Sequence, residues 1–411
     1  MSSQSPLYTS ITLPCGKSLK NRIVKAAMEE NMAGDNQLPD RNLLSLYRYW
    51  AHGGLGMIIT GNVMVDRHAM TGPGGVVLEK DTPIDSFERW AKVIRSGGAL
   101  AIMQINHPGR QVFKAVNKTA MAPSAVSLSM GRFSKQFADT YAMTCEDIYA
   151  VCQRFVDTAV KAQQAGFDGV QVHAAHGYLL SQFLSPLTNQ RDDQWGGSLL
   201  NRARLLLNIV CQIRACCGSD FAVMVKLNAA DFQRGGLTLE DTKEIVSHLN
   251  KLGVDVLEVS GGNYEAPAMQ GRTGDGQALN QHAYFVEFAS QIAAIAQMPV
   301  MTTGGINREA SARRVLEQGC QLVGLASALA ITPNLALKWQ QGSPQAEMPP
   351  RCTWQDKTLA SLVTMAMIRR QLRRLGNDLS TQPAPSQLWS LLQDLRHRKK
   401  MTRRYHQFIN Q

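Results

Sequence analysis

Eight short apolar runs constrain this chain more than any other feature of it. They fall at residues 23–28, 55–60, 99–105, 169–173, 221–227, 254–259, 299–303 and 322–326. Each has the length of a strand buried on both faces, which need not alternate polar and apolar positions. Longer helical patterns lie between them. Residues 151–165 carry an apolar stripe at Val151, Phe155, Ala159 and Ala162 and stop at Gly166. Residues 239–252 follow Thr238, a residue suited to capping a helix, and end at Gly253. Residues 43–50, 84–95, 201–215, 282–296 and 309–318 fill most of the other slots.

Strand and helix alternating eight times predict an α/β protein, a (β/α)8 barrel (TIM barrel). A doubly wound open sheet is the rival, because periodicity does not show whether a parallel sheet closes. An open nucleotide-binding sheet more often carries a glycine-rich loop after its first strand. Here that position reads Ala27-Met28-Glu29-Glu30-Asn31, with no glycine. The composition, 44% hydrophobic and 18% charged, supports a large core and argues against disorder.

Beyond Pro349-Pro350 the pattern changes. Two helical stretches, 354–374 and 388–406, flank a proline-containing linker at 381–386. The chain's 411 residues carry a net charge of +11, but residues 350–411 hold 12 Lys and Arg against 3 Asp, a balance of +9. The expected division is a catalytic barrel over 1–345 and a basic helical C-terminal extension over 346–411. Such helices either pack on the barrel or a partner subunit with a solvated basic face, or meet anionic surfaces. The lack of interleaved aromatics favours the first.

The eight cysteines show no C-x-x-C spacing, which fits reduced thiols in a cytoplasmic protein. The polar N-terminus lacks a secretory pattern, and no run of about 18 apolar residues predicts a membrane span.

Chemistry concentrates where the fourth run ends, in His173-Ala-Ala-His176-Gly-Tyr178. Barrel active sites lie at the C-terminal ends of strands. Two imidazoles three residues apart can converge on one acceptor such as a carbonyl oxygen, with the tyrosine as proton donor. A structural histidine, or half of a metal site, fits the spacing as well.

The stretch from His173 through Asn189, Arg191, Asp192, Asp193, Trp195, Gly196-Gly197-Ser198 and Asn201-Arg202 closely resembles the old yellow enzyme family. Leu19-Lys-Asn21-Arg22-Ile23, Gln104-Ile-Asn-His107-Pro-Gly109-Arg110 and Thr303-Gly304-Gly305-Ile306 resemble that family's motifs at strands one, three and seven. The resemblance covers roughly residues 6–340. It implies an FMN-dependent NAD(P)H:flavin oxidoreductase on a (β/α)8 barrel, passing hydride to an activated C=C bond. It implies that His173 and His176 bind the substrate oxygen as negative charge develops, and that Tyr178 protonates the α-carbon. Gln104 is implied at the flavin pyrimidine edge, Lys226 near N1/O2, and Gly304 and Gly305 around the phosphate. Ala27, Met28, Gly61, Ala326 and Ser327 complete the implied cofactor contacts. Arg191, Asp192, Asp193 and Trp195 are expected to fold the loop.

Three departures stand out. Many members bind phosphate with an arginine where this chain has Ala326-Ser327, so a hydroxyl replaces a charge. Relatives often place Cys or Thr near flavin O4 where this chain has Glu29. Larger relatives add an iron–sulfur run and a second flavin domain, and with only Cys352 after the barrel neither is expected.

A basic tail on an FMN barrel also describes the tRNA dihydrouridine synthases. These use a cysteine acid that the loop at 106–117 lacks, and they lack His-x-x-His-Gly-Tyr. A metal-dependent hydrolase would need further ligands that are sparse here. Demethylation and NADH oxidation, also found among relatives, remain alternatives. The expected partner is a small-molecule substrate; the basic tail keeps nucleic acid open, and self-association is open too.

Overall fold

The computed structural model describes residues 5–270, 283–343 and 357–410, together with Thr273, Glu347, Cys352 and Trp354. All eight expected strands form: β1 (Ile23–Lys25), β2 (Met57–Ile59), β3 (Leu100–Asn106), β4 (Gly169–Ala174), β5 (Ala222–Asn228), β6 (Val256–Ser260), β7 (Val300–Thr302) and β8 (Leu322–Leu325). Every neighbouring pair is parallel. β4 pairs with both β5 and β3, and β8 pairs with β1, so the sheet closes and the open-sheet rival falls.

Alternation sorts the strand residues into two cores. Val24, Met57, Ile102, Ala222, Met224, Val256, Met301 and Leu322 fill the barrel interior. A short antiparallel ribbon, Ile11–Thr12 with Ser18–Leu19, stoppers its N-terminal end by contributing Leu13 and Leu19 to that cluster. The outward residues, such as Ile23, Ile58 and Val172, pack under the helices.

The helices are α1 (Arg41–Ala51), α2 (Asp85–Arg95), α3 (Cys145–Gln164), α4 (Leu179–Leu184), α5 (Leu199–Cys217), α6 (Leu239–Leu249), α7 (Val286–Ala293), α8 (Glu309–Glu317), α9 (Leu335–Gln340), α10 (Lys357–Gly376) and α11 (Gln387–Ile409). Helix α3 starts six residues before its apolar stripe, because Thr144 and Asp147 form a reciprocal capping box. Thr238 and Asp241 do the same for α6. The expected helix at 282–296 is shorter, and His282 and Pro349-Pro350 lie outside the described residues.

Helices α10 and α11 pack on each other and on the barrel. Leu372 and Leu375 join the core shared with α1. Tyr405 joins a separate cluster with Met64, Met70, Val112 and Val116, residues that follow β2 and β3. No described helix is long and apolar enough to cross a membrane.

Candidate active site

Inward positions near the C-terminal ends of the strands turn from apolar to polar one layer above the core. Gln104 of β3 donates to Gln171 of β4 at 2.8 Å, and Gln171 donates to Glu258 of β6 at 2.8 Å. Lys226 of β5 pairs with Glu258 at 2.9 Å. Because register places Gln104 beside Gln171, and Lys226 beside Glu258, the network is a property of strand pairing. It is closed to solvent, with Glu258 fully buried and Lys226 3% exposed.

His173 lies two residues beyond Gln171 on the same inward face of β4. Its Nδ1 accepts the Ala175 N–H at 3.2 Å, which leaves Nε2 as the donor nitrogen. His176 sits in the left-handed region at φ 61°, followed by Gly177 at φ 73°. A side chain at residue 177 would meet Asn263 Cβ at 2.6 Å, so Gly177 answers both a turn and a close approach. Asn228 accepts the His176 N–H at 3.1 Å, and the His176 Nε2 lies 2.7 Å from the Ser260 hydroxyl.

The rings of His173 and His176 are 5.0 Å apart, and Tyr178 stands edge-on to His173 at 4.9 Å. Burial, reinforced by the Lys226 charge, holds both imidazoles well below the ordinary histidine range. This favours the neutral imidazole in both, with His173 Nε2 the donor on its ring. Burial, then Tyr264 and Glu29, push the Tyr178 phenol well above its ordinary value.

Tyr264, in the loop after β6, was not singled out by sequence, nor was Asn106. The two hydroxyls of Tyr178 and Tyr264 are 3.2 Å apart. Asn106, inward from β3 above Gln104, has both amide atoms buried without a partner among the described residues. Its only signal was its place inside the Gln104–Arg110 motif. Arg110 in turn ties the β3 loop to the β6 loop through Glu265 at 2.8 Å, and Gln182 of α4 bonds Pro108 O and Gly177 O.

The residues present fit an FMN group. Gly304 and Gly305 stand consecutively at φ 107° and 73°, and their N–H groups have no acceptor among the described residues, which leaves them free to meet an anion. Ser327 opens a short 3-10 turn beside them, and Thr303 bonds across to the Gly324 carbonyl. Ala27 and Ala326 border the interior cluster at its upper rim, near Met28. Gly61 is placed differently: its N–H is taken by Glu30 at 3.2 Å and Tyr47 at 2.9 Å, and a side chain there would collide with Glu30. Glu30 and Lys25 form a buried pair beneath it, 3.8 Å apart, with burial lowering Lys25 to about 8.

Glu29 accepts from the Thr71 hydroxyl at 2.6 Å. Arg191 binds Asp193 and the Pro123 and Met143 carbonyls, while Trp195 is buried, so this segment fastens the β4 loop to its surroundings.

Residues 6–346 match the model of the NADH:flavin oxidoreductase / NADH oxidase family. The chain belongs to that family. It is 35% identical over 348 residues to the NADH-dependent flavin oxidoreductase iliE of Hypocrea jecorina, covering 79% of this chain and 86% of that protein. It is 36% identical over 381 residues to the iliE protein of Neonectria sp., covering 87% of this chain but only 50% of that longer protein. Its fold resembles the old yellow enzyme homologue of Zymomonas mobilis, with a TM-score of 0.71 at 22% identity, over 83% of this chain and 94% of that one. Family members bind FMN and draw reducing equivalents from NADH or NADPH, and this chain is an oxidoreductase of that kind.

Proposed function

We propose that this oxidoreductase reduces a C=C bond conjugated to an electron-withdrawing oxygen group. The observation that carries the reading is the convergence of two imidazoles and a phenol at one strand end, His173 lying 5.0 Å from His176 and 4.9 Å from Tyr178. Bound FMN would supply the hydride chemistry between NAD(P)H and the alkene. The chain's own residues then divide the remaining work. His173 Nε2–H and His176 bind the carbonyl oxygen, where charge accumulates as the β-carbon is reduced. Tyr178 delivers the proton to the α-carbon. Gln104 and Lys226 would hold the cofactor's pyrimidine edge, with Lys226 supplying positive charge there. Gly304, Gly305 and Ser327 would hold its phosphate, and Ala27, Met28 and Ala326 would line its contact surface, the Gly61 N–H being already committed to Glu30 and Tyr47.

In this reading residues 1–345 form the catalytic barrel and residues 346–411 the extension, whose helix α11 bonds the loops after β1, β2 and β3. The iliE relatives are named as NADH-dependent, so NADH is the reductant to try first.

The test is direct. Purified protein supplied with FMN should be yellow, bleach with NADH or NADPH anaerobically, and regain its colour with enones. A protein that cannot take up FMN overturns the cofactor assignment; one that bleaches but reoxidises with no alkene overturns the substrate class. Replacing His173 and His176 together should abolish the charge-transfer bands of bound phenols, and bands that persist would remove the pair from the substrate site.

A further inference from the structure

The basic C-terminal helices do not stand apart from the site. Helix α11 crosses the loops that follow β1, β2 and β3. His397 meets the Asn31 carbonyl at 2.8 Å, Tyr405 donates to the Arg67 carbonyl at 2.9 Å, and His406 meets the Ala115 carbonyl at 2.9 Å. Within the helix pair, Arg369 and Arg373 share the single carboxylate of Asp394, at 2.6 and 3.0 Å, which leaves one positive charge in excess.

Arg398 follows Asp394 by one turn. Its guanidinium lies over the Phe113 ring, 5.4 Å from the centroid. Among the described residues it makes neither an ion pair nor a side-chain hydrogen bond. A cavity of about 240 Å³ opens beside it, walled by Pro73, Phe113, Val116, Gln136 and Thr402. The other charges nearby are engaged: Lys114 pairs with Asp139 at 3.1 Å, and Glu29 accepts from Thr71.

Packed aromatic rings run from one wall of this cavity to the catalytic groups. Phe113 stacks on Phe137 at 4.8 Å, Phe137 approaches Tyr264 at 6.2 Å, and Tyr264 reaches Tyr178. Burial, then the neighbouring Arg369 charge, lower the Arg398 guanidinium from its ordinary value, against the opposing pull of Asp394 and Glu29. A half-buried guanidinium on an aromatic face, with no directly bonded counter-ion among the described residues, is desolvated and still has donors to give. An oxyanion is the ligand that uses a planar fork of donors fully. The apolar walls suit the carbon skeleton that would carry it.

We propose that Arg398 receives an oxyanion carried by a reactant of the flavin site, either a carboxylate on the alkene or a phosphate of the nicotinamide dinucleotide. This rests on the proposed function and narrows its substrate class, and it makes the C-terminal extension part of the site.

The experiment uses FMN-loaded wild type, R398Q and R398K. One arm compares enones bearing a terminal carboxylate, on chains of several lengths, with their methyl esters. The other compares NADH with phosphate-free 1-benzyl-1,4-dihydronicotinamide in anaerobic flavin reduction. In whichever arm holds the oxyanion, wild type should favour the charged member by roughly tenfold or more in KM or Kd. R398Q should bring that ratio toward one, and R398K should keep only part of it, a second reading should the glutamine variant fail to fold. The preference should shrink between 50 and 200 mM salt. Ratios unchanged by substitution in both arms overturn the proposal. Esters and acids reduced alike by every variant, with NADH discrimination equally unmoved, remove Arg398 while the reductase reading stands. Bleaching without transfer to any alkene defeats the reductase reading, and the NADH arm still reports on Arg398.

Discussion

The Tyr178 hydroxyl lies 3.2 Å from the Tyr264 hydroxyl, so the proposed proton donor has a second phenol as its partner. Burial raises both phenols, and each ring is further affected by the other and by Glu29. A proton donor must be protonated to act. Oxidation of the reduced enzyme by an enone is therefore expected to stay rapid through pH 10, where an ordinary tyrosine is half ionised. Y178F should slow that half-reaction by roughly 10² to 10⁴, and flavin reduction by NADH far less. Y264F removes one influence that raises Tyr178, so the alkaline fall in rate should move to lower pH. Stopped-flow pH profiles of the three proteins check this, and coincident profiles for wild type and Y264F would defeat the coupling.

Histidine burial also shapes stability. Burial holds His107 down at about 4 and His173 and His176 well below their ordinary value. In the unfolded chain these groups take up protons near pH 6.5, while the folded protein resists. Stability is therefore complete above about pH 6.5 and falls as pH drops toward the folded values. His107 alone accounts for roughly 3 kcal/mol of that loss by pH 4. Urea unfolding at pH 7 and pH 5 should show the decline, with a shallower decline for H107Q.

The barrel was legible because its strands are buried on both sides and stay apolar for their whole length, as residues 221–227 and 254–259 show. The site core was legible because His173, His176 and Tyr178 fall within eight residues of one strand end. Tyr264 was not, since nothing local marks a lone tyrosine after Gly261-Gly262-Asn263 as the partner of Tyr178. The start of α3 was missed because Thr144 and Asp147 cap it in a polar stretch outside the apolar stripe. The extension's placement was hidden for a different reason: His397 meets Asn31, and Arg398 meets Phe113, across hundreds of residues. Charge summed along the chain put +9 at one end, and only tertiary contact shows that Arg398 faces the barrel mouth.

The Lys226–Glu258 pair yields a sharper stability test. Both side chains are buried, and Gln171 also donates to Glu258. E258Q leaves an ammonium group without its counter-charge, which typically costs about 3–5 kcal/mol. K226M should destabilise by a similar amount, because it strands the carboxylate. The double variant K226M/E258L should recover much of the loss, since an apolar pair of matching volume often equals a buried ion pair. A double-mutant cycle from urea midpoints measures the coupling, and additive losses would contradict a direct pair.

Asp394 offers the corresponding test of how the extension is held. Burial alone would raise its carboxyl, but Arg369 and Arg373 outweigh burial and hold it down to about 2. An unfolded aspartate titrates near 3.9, so the pair of arginines contributes about 2–3 kcal/mol above that pH. The contribution is lost as pH falls through about 2. D394N removes it at neutral pH and leaves two largely buried guanidiniums facing an amide. Because Arg369 and Arg373 belong to α10 and Asp394 to α11, the damage should concentrate at the α10–α11 seam. Hydrogen exchange should show α10 and α11 losing protection in D394N while β3, β4 and β5 keep theirs. With α11 loosened, the Arg398 guanidinium loses its station over Phe113, so the charged-over-neutral reactant preference should weaken as it does in R398Q. Uniform loss of protection across barrel and helices would instead mean that Asp394 supports the whole fold rather than the seat of α11.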